Sequence, residues 1–283
     1  MPRFHPCHLL FSALLCITAP AATAIEPALP AATPLVIGES FTIASTVLGE
    51  TRHINVYAAR AWDTPPDAPL PVLYMPDGGI AEDFLHIAGL LQVSVANGTM
   101  RPFRLVGMAN TQRRRDLTGP TEDAKDRAIA PVVGGAAAYR SFIRDELMPQ
   151  VRQRYRGTGE TAIVGESLAG LFVVETLLLE PQLFDHYLAF DPSLWWNRGF
   201  LPSQAAALLA KQGGSKHSLY IASSNEAGIA SEVQRLATVL TQSAPKGLDW
   251  QVESMPQESH GTIYHPAALK AFRAVFAPKM DKL

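Results

Sequence analysis

The stretch Ile163-Val164-Gly165-Glu166-Ser167-Leu168-Ala169-Gly170 lies between two apolar runs. The run that leads into it, residues 161–164, predicts a buried strand, and the run that follows it, residues 171–179, predicts a buried helix. The chain must therefore reverse within very few residues. A serine at the apex of such a turn has a strained backbone and a hydroxyl pushed out of the sheet. The pattern predicts that Ser167 is the nucleophile of a strand–turn–helix elbow.

Small residues on both sides of the serine support this interpretation, because the strand and the helix of an elbow pass close together. Gly165 fills the first small position. Ala169 stands where the pattern Gly-x-Ser-x-Gly has its second glycine, and Gly170 follows it. Alanine is still small, so we interpret the stretch as a variant of the motif. The alternative is a serine that caps a core helix.

Residues 1–24 have the features of a signal peptide. Arg3 supplies a positive start, the apolar run 9–18 is too short to span a bilayer, and Ala22-Thr23-Ala24 fits the cleavage rule. Both cysteines lie in this segment, so we expect a mature chain without disulfides or cysteine-bound zinc. We predict a product that is exported to the periplasm or secreted and that has no membrane anchor.

The composition bounds the fold and the partners. Hydrophobic residues make up 47% of the 283 residues, which is enough for one large core. A formal net charge of −2 gives no basic footprint for nucleic acid. After the signal peptide we predict a flexible leader rich in Ala and Pro at residues 25–36 and a single domain at residues 37–283.

The hydrophobic pattern predicts an α/β fold. Residues 41–48 and 52–58 alternate in the manner of an antiparallel hairpin. Strands and helices alternate after it, which predicts a mainly parallel central sheet with helices on both faces. Together with the elbow, this indicates the α/β-hydrolase fold. Further strands are predicted at residues 71–75, 105–108, 187–190, 217–222 and 250–255, and helices at residues 81–95, 136–155 and 267–276.

Loops that follow parallel strands lie at one end of such a sheet, where ligands bind. The loops predicted there are residues 77–80, the long polar loop 110–130 with Pro131, and residues 167, 191–200, 224–227 and 256–262. The chain order in α/β-hydrolases is serine, acid, histidine. His260 and His265 follow the last strand, and we favour His260 as the base because His265 precedes Pro266 at the entry to the last helix.

Two carboxylates are candidates for the acid that orients His260. Glu226 is preferred, because it follows the strand where this fold usually carries the acid; its alternative role is a helix capping box with Ser223. Asp191 follows the preceding strand, where an ordinary turn aspartate is the alternative. A Ser-His dyad without an acid also remains open.

The oxyanion of an acyl-transfer reaction needs two backbone N–H donors. One is predicted at Leu168, directly after the nucleophile. The other is predicted in the loop after the third strand, at Gly78, Gly79 or Ile80. A plain tight turn is the alternative for this loop. We predict no metal site and no nucleotide or other cofactor, because the metal-binding and phosphate-binding patterns are absent from the sequence.

Longer motifs are found along most of the chain, at Leu48–Arg52, Leu73–Gly79, Asp116–Thr118, Gly165–Phe172, Asp191–Trp196 and Ser259–Gly261. Together they resemble the esterase D-like family of α/β-hydrolases, which includes feruloyl esterases and periplasmic siderophore esterases, and they are most similar to the siderophore-esterase branch. The resemblance implies Ser167 as nucleophile and His260 as base. Ala169 departs from the usual glycine. Asp191 stands where relatives commonly have serine, which argues against it as a shared acid.

The resemblance implies an exported serine hydrolase that cleaves a small-molecule carboxylic ester, with an anionic ferric siderophore as one candidate. A feruloyl-type or general carboxylesterase and an acyltransferase are the alternatives. A non-enzymatic binding protein is disfavoured because Ser167, His260 and both acids are present. Arg113 and Arg114, in the long polar loop, are candidates to bind an anionic substrate, and Trp195 and Trp196 are candidates to line its pocket.

Overall fold

Strands supply the frame of the fold in the computed structural model, which describes residues 32–214 and 216–278. The strands are β1 (Glu39–Ser45), β2 (Glu50–Ala59), β3 (Leu70–Met75), β4 (Phe103–Met108), β5 (Gly157–Glu166), β6 (His186–Phe190), β7 (His217–Ser223) and β8 (Leu248–Ser254). They form one sheet in the order β1-β2-β4-β3-β5-β6-β7-β8. β1 and β2 pair antiparallel, as do β2 and β4, and every other neighbouring pair is parallel. The predicted hairpin and mainly parallel sheet are confirmed.

Helices cover the sheet between its strands. They are α1 (Phe84–Ala96), α2 (Arg113–Leu117), α3 (Ala124–Ile129), α4 (Ala136–Phe142), α5 (Met148–Arg154), α6 (Leu168–Leu179), α7 (Trp196–Leu209), α8 (Ala227–Ser243) and α9 (Tyr264–Val275). A π-helical turn at Ile143–Leu147 joins α4 to α5, so the predicted helix at residues 136–155 is nearly continuous.

The prediction of a long polar loop at residues 110–130 is wrong in part, because α2 and α3 lie within it. The side chain of Asp123 accepts a hydrogen bond from the N–H of Lys125 and starts α3. In α2, Asp116 is buried and its Oδ2 lies 2.6 Å from Nη1 of Arg52. Helices of five or six residues are too short to show a hydrophobic period, so the sequence pattern does not reveal them.

Both faces of the sheet are buried. Ile163 of β5 packs with Phe172 and Tyr139 on one face, and its neighbour Val164 packs with Phe84 and Phe272 on the other. This alternation follows from the two-residue period of a strand. It places helices on both faces, as the α/β-hydrolase fold requires.

The described residues from Ile37 onward belong to one compact unit. The predicted signal peptide at residues 1–24, both cysteines, most of the predicted leader at residues 25–36 and the last five residues of the predicted domain lie outside the described residues. Within the part of the chain that is described, no helix combines the length and the apolar character needed to span a membrane.

Candidate active site

The elbow forms at the junction of β5 and α6. Ser167 is the residue between them and has φ 59° and ψ −119°, which is an unfavourable backbone for any residue except glycine. A Cβ atom at Gly165 would lie 2.7 Å from the Cβ of Ala169. The same atom would lie 2.7 Å from the backbone carbonyl carbon of Ala169, so position 165 requires glycine whatever residue stands at position 169. The methyl group of Ala169 fits because Gly165 has no side chain.

Three side chains form a hydrogen-bonded chain at the carboxyl end of the sheet. Oγ of Ser167 lies 3.1 Å from Nε2 of His260, and Nδ1 of His260 lies 2.7 Å from Oδ2 of Asp191. His260 lies in the loop between β8 and α9, and Asp191 directly follows β6. An imidazole oriented in this way can accept the proton of a serine hydroxyl. The other histidine considered, His265, lies in α9 and contacts His86 instead.

Asp191 is fully buried and held by its neighbours. The backbone N–H and the hydroxyl of Ser224 each donate a hydrogen bond of 2.7 Å to its carboxylate. Burial alone would raise the pKa of Asp191, but the hydrogen bonds from His260 and Ser224 outweigh it and lower this pKa below its usual value. The hydrogen bond to Asp191 in turn raises the pKa of His260, and burial of the imidazole opposes this effect.

The structure brings Asp191, and not the preferred Glu226, into contact with His260. Glu226 is exposed at the residue before α8 and makes no hydrogen bond to His260. The capping box proposed with Ser223 is absent as well, because the N–H of Glu226 donates to the hydroxyl of Ser224. The loop after β7 thus serves the site through Ser224, whose hydroxyl orients Asp191.

The predicted oxyanion donors differ in their present partners. The N–H of Gly78 donates to the carbonyl of Met108 (2.9 Å), and the N–H of Gly79 donates to Oε2 of Glu82 (2.6 Å). Among the described residues, no acceptor is found for the N–H of Leu168 or Ile80. A Cβ at Gly78 would lie 2.3 Å from Cα of Gly107 in β4, so glycine at this position is required by packing.

Three of the five described non-glycine residues with positive φ lie at the ends of adjacent strands, and the other two lie in α7. Asp77 after β3, Ser167 after β5 and Asp191 after β6 all have positive φ angles, of 57°, 59° and 43°. Such conformations persist only where the surrounding structure enforces them, and they cluster at functional sites. Asp77 was not singled out in the sequence, although its position at a strand end was a usable signal.

The two arginines proposed to bind substrate lie in different environments. Arg113 is partly buried, and its Nε and Nη2 donate to both carboxylate oxygens of Asp77 at 2.7 and 2.8 Å. Arg114 is exposed and donates to the carbonyl of Ile129. Arg115 pairs with Glu50 and Asp116. Arg113 is therefore committed to an ion pair beside the site, and Arg114 presents its charge to solvent.

The two tryptophans also separate. Trp196 is buried, and its indole N–H donates to the carbonyl of Gly119 at 2.9 Å. It borders an apolar cavity of about 530 Å³ together with Leu171 and Phe200. Trp195 is partly exposed and packs against the core. Trp196 thus lines a pocket, as proposed for the pair.

Two side chains close to the serine were missed in the sequence. Oγ of Ser193 lies 3.4 Å from Oγ of Ser167, and Oε1 of Glu166 lies 3.5 Å from Nε2 of His260. Glu166 occupies an unconstrained position of the motif, so the pattern gives no signal for it. In the described segments, no group of three or more His, Cys, Asp or Glu side chains is arranged to hold a metal ion.

Comparison with known proteins is consistent with this arrangement. Residues 45–266 match the family described as "Putative esterase". The chain belongs to this esterase family. The resemblance to its siderophore-esterase branch is confirmed, because a ferri-bacillibactin esterase of Bacillus subtilis is 30% identical over 57% of this chain and 63% of its own length. A siderophore triacetylfusarinine C esterase of Aspergillus fumigatus is 32% identical over 64% of each chain. The chain thus aligns with a little under two thirds of each of these relatives.

Two solved structures support the fold. An IroE-like serine hydrolase from Shewanella oneidensis superimposes with a TM-score of 0.76 at 27% identity, covering 84% of this chain and 80% of the other. A siderophore hydrolase from Aspergillus nidulans superimposes with a TM-score of 0.72 and 21% identity over 90% of this chain and 99% of its own, which bears on the fold alone. The predicted α/β-hydrolase fold is confirmed.

Proposed function

We propose that this chain is an exported serine esterase that hydrolyses ester bonds of ferric siderophores. The observation that carries the proposal is the hydrogen-bonded chain from Oγ of Ser167 through His260 to Asp191. The similarity of the protein to siderophore esterases supports the substrate class.

In the proposed mechanism, Nε2 of His260 takes the proton of Ser167 as Oγ attacks the ester carbonyl. Asp191 keeps the proton of His260 on Nδ1 and stabilises the imidazolium. The tetrahedral oxyanion accepts hydrogen bonds from the N–H of Leu168 and from Ile80, or from Gly79 once Glu82 releases it. Collapse breaks the ester C–O bond, and His260 gives its proton to the leaving alcohol. Water, deprotonated by His260, then attacks the acyl carbon. The bond between that carbon and Oγ breaks, His260 returns the proton to Oγ of Ser167, and the carboxylic acid product leaves.

Substrate choice is tested with a panel of esters. Purified protein is offered ferri-bacillibactin, ferric triacetylfusarinine C, a feruloyl ester and a short p-nitrophenyl ester, and products are separated by chromatography. A larger kcat/KM for a ferric siderophore supports the proposal. A preference for the feruloyl or p-nitrophenyl ester would reassign the substrate, and transfer of the acyl group to an added alcohol would indicate an acyltransferase.

The nucleophile is tested independently of the substrate. A fluorophosphonate should label Ser167, because an activated serine attacks phosphorus as it attacks an ester. Ser167→Ala should fold normally and lose both labelling and turnover, by about 10⁶-fold in kcat. Labelling at another residue would refute the mechanism.

Export is tested by sequencing the N-terminus of protein from the periplasm or medium, where cleavage after Ala24 is expected.

A further inference from the structure

Glu166 is the residue before the proposed nucleophile, and no step above uses it. Its side chain is only 17% exposed, and its Oε1 lies 3.5 Å from Nε2 of His260. The same Nε2 lies 3.1 Å from Oγ of Ser167. Two oxygens from adjacent residues of the elbow therefore face the nitrogen that takes up and returns the proton.

Among the described residues, the ion-pair partner of Glu166 is His260. The carboxyl borders a cavity of about 340 Å³ that also touches His260. Within the described part of the chain, no Lys or Arg forms a salt bridge with Glu166. The titratable and charged groups that face it are Asp77, Asp83, His86, Arg113, Asp191, His260, Tyr264 and His265.

We infer that Glu166 is a positioning residue for His260, with an ionised carboxylate that stabilises the imidazolium at Nε2 while Asp191 stabilises it at Nδ1. The inference rests on the proposed function, in which His260 is protonated during each chemical step. Carboxylates at both nitrogens have two opposed effects. They stabilise the transition state, where the imidazolium forms, and they also keep His260 protonated in the free enzyme up to a higher pH.

The protonation equilibria set the pH range of this role, because Glu166 is ionised only above its own pKa. Burial raises the pKa of Glu166 to about 7, although His260 and Arg113 oppose the shift. The pKa of His260 is raised first by the hydrogen bond to Asp191; burial opposes this, and the charge of Glu166 adds to it. Around neutral pH the two groups are therefore coupled, and the charge on one depends on the proton of the other.

Glu166→Gln removes the charge and retains the shape of the side chain. His260 should then lose its proton at a lower pH. In the pH profile of kcat/KM, the acidic limb should therefore shift to lower pH by about one unit. The plateau at higher pH should fall severalfold, because one stabilising charge at the imidazolium is lost. The two pH profiles should cross, which a merely structural role would not produce. Glu166→Asp should restore part of the original profile.

The deciding measurement is an NMR titration of the imidazole C2 protons, with His260 assigned by comparison with His260→Ala. In Glu166→Gln the pKa of His260 should fall by about one unit. The matched control is Glu39→Gln, which removes an exposed carboxylate from β1 at the far edge of the sheet and should leave this pKa unchanged. An unchanged pKa of His260 in Glu166→Gln overturns the inference.

Fluorophosphonate labelling separates this inference from the proposed function. If Ser167 of the unmodified protein is not labelled, the proposed function fails, and the titration still decides whether Glu166 and His260 are coupled. If Ser167 is labelled, its rate of labelling should follow pH with the same shift between the unmodified protein and Glu166→Gln. Superimposable labelling profiles of the two proteins contradict the inference.

Discussion

The turns after β6 and β7 lie side by side at the carboxyl end of the parallel strands, yet they contribute to the site in different ways. The turn after β6 presents a buried carboxylate, Asp191, to His260. The turn after β7 contributes no carboxylate contact to His260; it holds Asp191 through Ser224 and fastens the loop of His260 through the N–H of Asn225, which donates to the carbonyl of Glu258. Sequence position at a strand end is therefore not sufficient to identify an acid: the difference lies in burial and hydrogen bonding.

The largest loss of kcat is expected from a substitution in the turn after β6, at Asp191. In Asp191→Asn the amide should donate to Nδ1 of His260 and force the proton onto Nε2, so His260 cannot accept the proton of Ser167. We expect kcat to fall by about 10⁴-fold with the fold intact. Steady-state kinetics and a circular dichroism melt check this together. Full turnover in a folded Asp191→Asn protein would show that His260 and Ser167 act without the acid.

A smaller effect is expected where the two turns meet. Ser224→Ala removes the hydroxyl that donates to Oδ2 of Asp191 and leaves the backbone N–H bond in place. Asp191 should be less well oriented and its pKa should rise, so kcat should fall about tenfold, a loss well below that of Asp191→Asn. Ser224→Thr is the control, because it retains a hydroxyl. Equal kcat in Ser224→Ala and the unmodified protein would mean that the turn after β7 contributes nothing to Asp191.

These contrasts show what the sequence does and does not determine. The elbow could be predicted because Gly165, Ser167 and Ala169 are constrained by the backbone over a few residues. The fold followed from the two-residue and helical periods of the apolar residues. The choice between Asp191 and Glu226 depends on contacts between residues 69 positions apart, such as that of Asp191 with His260, which local patterns do not encode.

The arginines of α2 repeat the contrast between a buried, paired charge and an exposed one. Arg113→Gln should lower kcat/KM for charged and neutral esters alike, because it releases Asp77 beside the site.

Arg114→Gln should raise KM severalfold for an anionic ferric siderophore only, and added salt should raise KM of the unmodified enzyme in the same way. A neutral p-nitrophenyl ester is the reference substrate. An equal effect of Arg114→Gln on both substrates would exclude recognition of charge by Arg114.

The smallest effect is expected on the side of β7, where Glu226→Gln serves as the direct partner of Asp191→Asn. Glu226 is exposed, and its side chain caps no backbone N–H of α8. The hydrogen bond to Asp191 is the first cause of the raised pKa of His260, and the charge of Glu226 comes last among the causes. Exposed charges interact weakly because water and salt screen them. We therefore expect kcat to change by less than about twofold.

The two variants should be measured in parallel over the same pH range, with the double variant added. The double variant should match Asp191→Asn alone if Glu226 is a bystander. A loss of several orders of magnitude in Glu226→Gln would instead place the working acid after β7 and reverse the assignment of the two turns.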